Sequence, residues 1–160
     1  MRAYRYGIAT AIAALALLAP MTAAAASKQV AKEVPSATLG KSVLASLKGQ
    51  TLYSLSVETH GRFICTGACT STWHPLLVPA RTQPKGPVAL GTVKRPEGKT
   101  QVTFNGRPLY TFSGDSAPGQ ANGEGFKDVG TWHAATVPGP TTPAPEPTPQ
   151  PAPSPYPSPY

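Results

Sequence analysis

The sequence predicts a mainly β protein: two similar β-hairpin-based units packed as one small sandwich or partly open barrel. Three observations carry this. The body contains a twofold internal repeat. An Asn-Gly pair sits between two β-prone runs. No run of 3.6-residue periodicity follows the N-terminal apolar stretch.

The repeat is direct. Gly49-Gln50-Thr51-Leu52-Tyr53-Ser54-Leu55-Ser56 aligns with Gly106-Arg107-Pro108-Leu109-Tyr110-Thr111-Phe112-Ser113, an offset of 57 residues. Trp73-His74-Pro75-Leu76-Leu77-Val78-Pro79 aligns with Trp132-His133-Ala134-Ala135-Thr136-Val137-Pro138, an offset of 59. Each unit therefore reads as a turn, a strand, a loop and a second strand that opens with Trp-His. The units span residues 39–79 and 89–138, within a two-unit domain over 39–138.

In the second unit, Gln101–Phe104 and Arg107–Phe112 flank Asn105-Gly106. A type I′ turn needs positive φ at two successive residues, which Asn-Gly supplies. The register pairs Phe104 with Arg107 and Thr103 with Pro108. It puts Pro108 at a non-hydrogen-bonded position, where its missing N–H is harmless at a sheet edge. The first unit predicts a matching hairpin of Val43–Leu47 with Gln50–Leu55 about Lys48-Gly49. Apolar residues occur on both faces: Val102, Phe104 and Leu109 against Tyr110 and Phe112. A sheet apolar on both faces is expected to be covered on both.

The ends differ from the body. A basic start, Arg2 and Arg5, is followed by an apolar run from Gly7 to Pro20 and by Ala23–Ala26. This is the layout of a secretory signal peptide over 1–26, cut after Ala26. The run is short for a membrane anchor, which needs roughly 20 apolar residues. No cysteine stands near the cut to carry a lipid. The expectation is an exported protein, periplasmic or extracellular, soluble after cleavage, with no lipid anchor and no membrane span. Residues 27–38 are expected to be a flexible mature N-terminus. From Pro138 to Tyr160, 11 of 23 residues are proline, and every second residue is proline from Pro143 to Pro159. Proline fixes φ and lacks an N–H, so residues 139–160 are expected to be an unpacked, polyproline-like tail. It is either a solvated end, a spacer through cell wall, or a strip for aromatic-lined grooves.

Removing residues 1–26 leaves 12 basic against 7 acidic side chains. The positive charge is scattered, which suits weak attraction to an anionic cell-wall polymer or an envelope protein. Nucleic-acid recognition needs a basic stripe with stacking aromatics or a known module, and the sequence has neither. It also has no phosphate loop and no Gly-x-Ser-x-Gly elbow.

Tyr110-Thr111-Phe112-Ser113-Gly114-Asp115 follows the pattern Tyr-x-aromatic-x-x-Asp. With Leu90–Arg95, Asn105–Tyr110 and the Cys65–Cys69 loop before Trp73, it resembles a bacterial secreted-repeat family of unknown function. That family comprises predicted lipoproteins with a Tyr-x-(Phe/Trp/Tyr)-x-x-Asp motif. The resemblance covers about 39–138 and implies export and repeat architecture, without an activity. The first copy departs from the motif: Tyr53 is followed by Leu55 in place of the aromatic and Glu58 in place of aspartate.

Four sets of residues are chemical candidates. Cys65 and Cys69 form a close pair, which an oxidising compartment turns into a disulfide. With His60 and His74 they also offer four ligands to Zn²⁺ or Cu⁺, or, less conventionally spaced, a redox pair. His74 and His133 occupy equivalent positions. They either converge, with Tyr53 and Tyr110, on copper, iron or haem, or point to solvent while Trp73 and Trp132 are buried. Glu58 and Asp115 either act as an acid/base pair or organise turns. These candidates define two function classes. One is an exported, non-catalytic envelope or secreted module, with no cofactor expected, binding a wall component, a partner protein or a small ligand. The other is an extracytoplasmic metal- or haem-binding or electron-transfer protein built on His60, His74 and His133.

Overall fold

In a computed structural model, residues 25–138 are described. Residues 1–24 of the expected signal peptide and the proline-rich tail over 139–160 lie outside the described residues. The body is mainly β: multiple sheets pack as a small sandwich-like domain and no closed barrel forms. In chain order the strands are β1 (Ser27–Gln29), β2 (Ala31–Ser36), β3 (Lys41–Ser46) and β4 (Leu52–Leu55). A 3₁₀ turn (Gly67–Ser71) precedes β5 (Trp73–Pro75), β6 (Leu77–Val78) and β7 (Gln83–Lys85). Then come β8 (Gly91–Lys94), β9 (Thr100–Phe104), β10 (Arg107–Pro108), β11 (Tyr110–Phe112) and β12 (Trp132–Ala134).

The central sheet has the order β12-β4-β11-β5. Its strands come alternately from the second and first units. The two motif strands, β4 and β11, pair with each other, with Tyr53 opposite Tyr110. Each Trp-His strand pairs with the motif strand of the other unit: β12 with β4, and β5 with β11. The units are thus interlocked, not stacked side by side, and neither could complete this sheet alone.

Both faces of the sheet are covered, as the alternation of β4 and β11 requires. Tyr53, Leu55, Trp73, Tyr110 and Trp132 pack on one face. Leu52 and Leu109 face the other and join Val30, Ala31, Leu44, Val78 and Val102. The chain changes sheet at a corner closed by three backbone bonds. Leu109 N–H donates to Val102 O (3.0 Å), Val102 N–H to Leu76 O (2.9 Å) and Leu76 N–H to Leu109 O (2.9 Å). Two of these recur in the equivalent corner, where Leu44 N–H donates to Ala135 O (2.7 Å) and Ala135 N–H to Leu52 O (2.8 Å).

The second-unit hairpin forms in the predicted register, with Arg107 opposite Phe104 and Pro108 opposite Thr103. Asn105 and Gly106 have φ of 50° and 72°, as a type I′ turn demands. The first-unit hairpin differs from expectation. Of Lys48-Gly49, Gly49 alone has positive φ (94°), which suits a longer loop closed by Ser46 and Gln50. Beyond a single bridge between Ala45 and Thr51, β3 turns its ladder to β2.

That ladder corrects the expectation of a flexible segment at 27–38. Ala31–Ser36 pairs with Lys41–Ser46 over six residues, and Ser27–Gln29 runs parallel to Gln83–Lys85. The apolar pair Val30-Ala31 explains the difference: both are buried in the core, where a disordered segment could not hold them. Its flanking lysines and Pro35 hide this strand from a composition-based reading.

Candidate functional site

The repeated motif residues meet at the pseudo-twofold axis between β4 and β11. Trp73 and Trp132 reach in from the two outer strands and stack at 3.8 Å with an interplanar angle of 6°. Tyr53 abuts Trp73 edge-on at 5.4 Å, and Tyr110 abuts Trp132 at 5.2 Å. Phe112 stacks on Trp73 at 4.5 Å. Leu55 in the first copy has no ring to offer, so the aromatic wall is complete on the second side alone. Gly123 runs close beneath this cluster: a Cβ there would sit 2.7 Å from the Trp73 ring, and no other residue type fits.

The phenols and carboxyls of the motif pair across the repeats. Tyr53 Oη donates to Asp115 Oδ2 (2.6 Å) and Tyr110 Oη donates to Glu58 Oε2 (2.8 Å). Each carboxyl spends its second oxygen on its own loop, six or seven residues on. Cys65 N–H and Ile64 N–H donate to Glu58 Oε1, each at 2.6 Å, and Asn122 N–H donates to Asp115 Oδ1 at 3.0 Å. Each acid therefore fixes a local loop and ties it to the tyrosine of the other unit. Glu58 is fully buried and Asp115 nearly so.

Arg95 makes the two halves unequal. Its guanidinium is buried and donates to Gln101, to Tyr110 Oη (3.2 Å) and to Cys65 O (2.9 Å), while Nε pairs with Glu97. Gln101 in turn donates to Leu109 O (2.7 Å). On the Tyr53 side, the corresponding donor to the phenol is the Gly123 N–H, at 3.3 Å. Taken by itself, an arginine ending a Lys-Arg pair reads as surface charge, which hides the burial of Arg95. Its signal was the motif Leu90–Arg95.

Burial pushes both phenols well above the ordinary tyrosine value, and the neighbouring carboxyls push further in the same direction. Burial also raises Asp115, against the lowering effect of the Tyr53 and Asn122 donors. A phenol whose folded pKa is raised gives stability that is complete below about pH 10 and falls as pH climbs beyond it. Alkaline unfolding is therefore expected to coincide with ionisation of Tyr53 and Tyr110. Absorbance near 295 nm and circular dichroism, followed together through a pH titration of Tyr156→Phe/Tyr160→Phe protein, check this. Phenol ionisation ahead of unfolding would refute it.

Cys65 and Cys69 form a disulfide, with Cα atoms 5.2 Å apart. It closes the turn that presents Cys65 N–H to Glu58 and Cys65 O to Arg95. With so short a loop, reduction is expected to lower stability by about 2 kcal/mol, read as a shifted urea midpoint.

The histidines stay apart. His74 and His133 lie on the two outer strands of the four-stranded sheet, three inter-strand steps or about 14 Å from each other. Both point to solvent while the preceding tryptophans are buried. His74 Nδ1 donates to Thr70 O (3.0 Å), and His133 Nδ1 meets Glu124 Oε1 (3.0 Å). His60 belongs to a separate turn against Gly106. The convergence on copper, zinc or haem considered from the sequence is thus not formed: both thiols are engaged, and no three His, Cys, Asp or Glu side chains cluster among the described residues. Nor are Glu58 and Asp115 arranged as an acid/base pair, since each faces a different tyrosine.

Among the described residues, no helix is long and apolar enough to cross a membrane. No curated protein and no solved structure matches the chain. Residues 91–136, from β8 through the Trp-His strand of the second unit, match the model of a family described as a secreted repeat of unknown function, the family whose motifs the sequence carries.

Proposed function

We propose that this chain is an exported, non-catalytic binding module, in which the repeat motif is an internal lock and the exposed loop surface meets the ligand. The observation that carries this is the crossed pairing of Tyr53 with Asp115 and Tyr110 with Glu58. The groups best suited to acid/base work are turned inward, hydrogen-bonded to each other and to loop N–H groups, with no room for a substrate. A rigid interlocked core supports exposed loops, the usual division of labour in binding scaffolds. The match of residues 91–136 to a family described as a secreted repeat supports export. In this reading the tail over 139–160 serves to hold the module at a distance, in the periplasm or outside the cell.

Retention of the secreted protein on isolated cell envelopes tests this reading. The intact protein and a form lacking residues 140–160 are compared with a reporter protein carrying the same signal. The module predicts saturable retention above the reporter, with unfolding temperature unchanged by loss of the tail. Retention no greater than that of the reporter, or turnover of a substrate lost on Asp115→Asn, would contradict it.

A further inference from the structure

Two notches flank the hairpins on the face of the central sheet opposite the tryptophan pair, and the repeat relates them. Leu47, Lys48, Gln50 and Thr111 line one; their equivalents Phe104, Asn105, Arg107 and Ser54 line the other. The two have diverged. In the second notch Arg107 is committed to main-chain carbonyls, donating to Ser56 O at 2.7 Å. The first gains a wall that has no counterpart in the second: Lys28 and Gln29 of strand β1, held in place by its parallel pairing with β7, and Val30 just after it.

The result is a solvent-open groove of about 310 Å³. Lys28, Lys48 and His74 line it, and among the described residues no acidic side chain does. The Nδ1 of His74 is taken by Thr70 O, so Nε2 is its free ring nitrogen. The apolar lining is equally marked. Leu47 is 51% exposed and Leu77 38% exposed, and these two large apolar side chains share this one groove with Leu76. Water-exposed leucines beside two lysines that have no ion-pair partner among the described residues suit a ligand with both characters. The volume is at the low end for small-molecule pockets, which favours a free small molecule over a polymer chain.

We infer that this groove binds a small amphipathic anion, an apolar chain of modest length bearing a carboxylate or phosphate head. The chain lies on Leu47, Leu76 and Leu77, and the head meets Lys28, Lys48 and His74. The inference rests on the binding-module reading and names the ligand class for it.

Titration of the secreted protein by two-dimensional NMR, below the micelle concentration of each probe, tests it. Decanoate and decyl phosphate are the probes, decyltrimethylammonium is the charge-reversed control, and acetate and decanol supply head and chain separately. Saturable shifts confined to groove residues are expected for the two anions. Lys28→Gln with Lys48→Gln is expected to weaken binding roughly tenfold, and Leu77→Ser to weaken it while sparing the fold, as thermal unfolding reports. Equal binding of the cationic control, indifference to the lysine substitutions, or no saturation by either anion would overturn the inference. So would binding to anionic vesicles without binding to free decanoate, which would make the surface a membrane contact. If decanoate fails while envelope retention persists, the inference falls and the module reading stands; if retention is absent as well, both fall.

Discussion

Trp132→Ala is expected to destabilise the protein by about 3–5 kcal/mol, enough to unfold a domain of this size near physiological temperature. The side chain is fully buried and is shared by both units. It stacks on Trp73, abuts Tyr110 edge-on and donates through Nε1 to Asp128 Oδ2 (3.2 Å). Removing it opens a cavity at the axis, and the facing tryptophan cannot fill it without leaving Phe112. Trp132→Phe keeps apolar volume and loses the wide stack, so a smaller loss of about 1–3 kcal/mol is expected. Equilibrium urea unfolding of the three proteins checks the order. A wild-type midpoint for the alanine variant would mean that the pair does not carry the core.

Glu58→Ala is the second large effect, expected at about 3–5 kcal/mol. The substitution leaves Ile64 N–H, Cys65 N–H and the Tyr110 phenol without their acceptor, and Arg95 keeps its place in a pocket that has lost an acidic neighbour. Glu58→Gln keeps an acceptor for the two loop N–H groups and is expected to lose about 1–2 kcal/mol. The loop from Glu58 to Cys65 should open first, so amide exchange at Ile64 and Cys65 is expected to accelerate well beyond that at Leu109. Uniform acceleration through the body would instead place Glu58 in the global core alone.

Local signals made the hairpin about Asn105-Gly106, the covering of both sheet faces and the burial of the tryptophans legible in the sequence. Turn chemistry and side-chain alternation act over a few residues, and the chain displays them directly. The repeat also identified Tyr53, Tyr110, Glu58 and Asp115 as a matched set. What it could not display is which tyrosine meets which acid. Sequence proximity favours pairing within a unit, whereas β4 lies against β11 and the Trp-His strands change sides, so the contacts span 52 and 62 residues. The strand at Ala31–Ser36 escaped for a different reason. Its core residue Ala31, next to buried Val30, is followed by Lys32, Glu33 and Pro35, and its stability comes from β3, a tertiary partner that propensity does not see. Arg95 escaped because a buried arginine depends on acceptors gathered from Cys65, Gln101 and Tyr110, three separate parts of the chain.

The central claim is that the two units interlock through crossed tyrosine–acid pairs, and double-mutant cycles on unfolding free energy test it most directly. Tyr53→Phe is combined with Asp115→Asn and, separately, with Glu58→Gln; Tyr110→Phe is combined with each in the same way. Coupling of about 1–2 kcal/mol is expected for Tyr53 with Asp115 and for Tyr110 with Glu58, and less than about 0.5 kcal/mol for Tyr53 with Glu58 and Tyr110 with Asp115. Coupling confined to the within-unit pairs would mean that each unit folds on itself, and the interlocked sheet would be wrong.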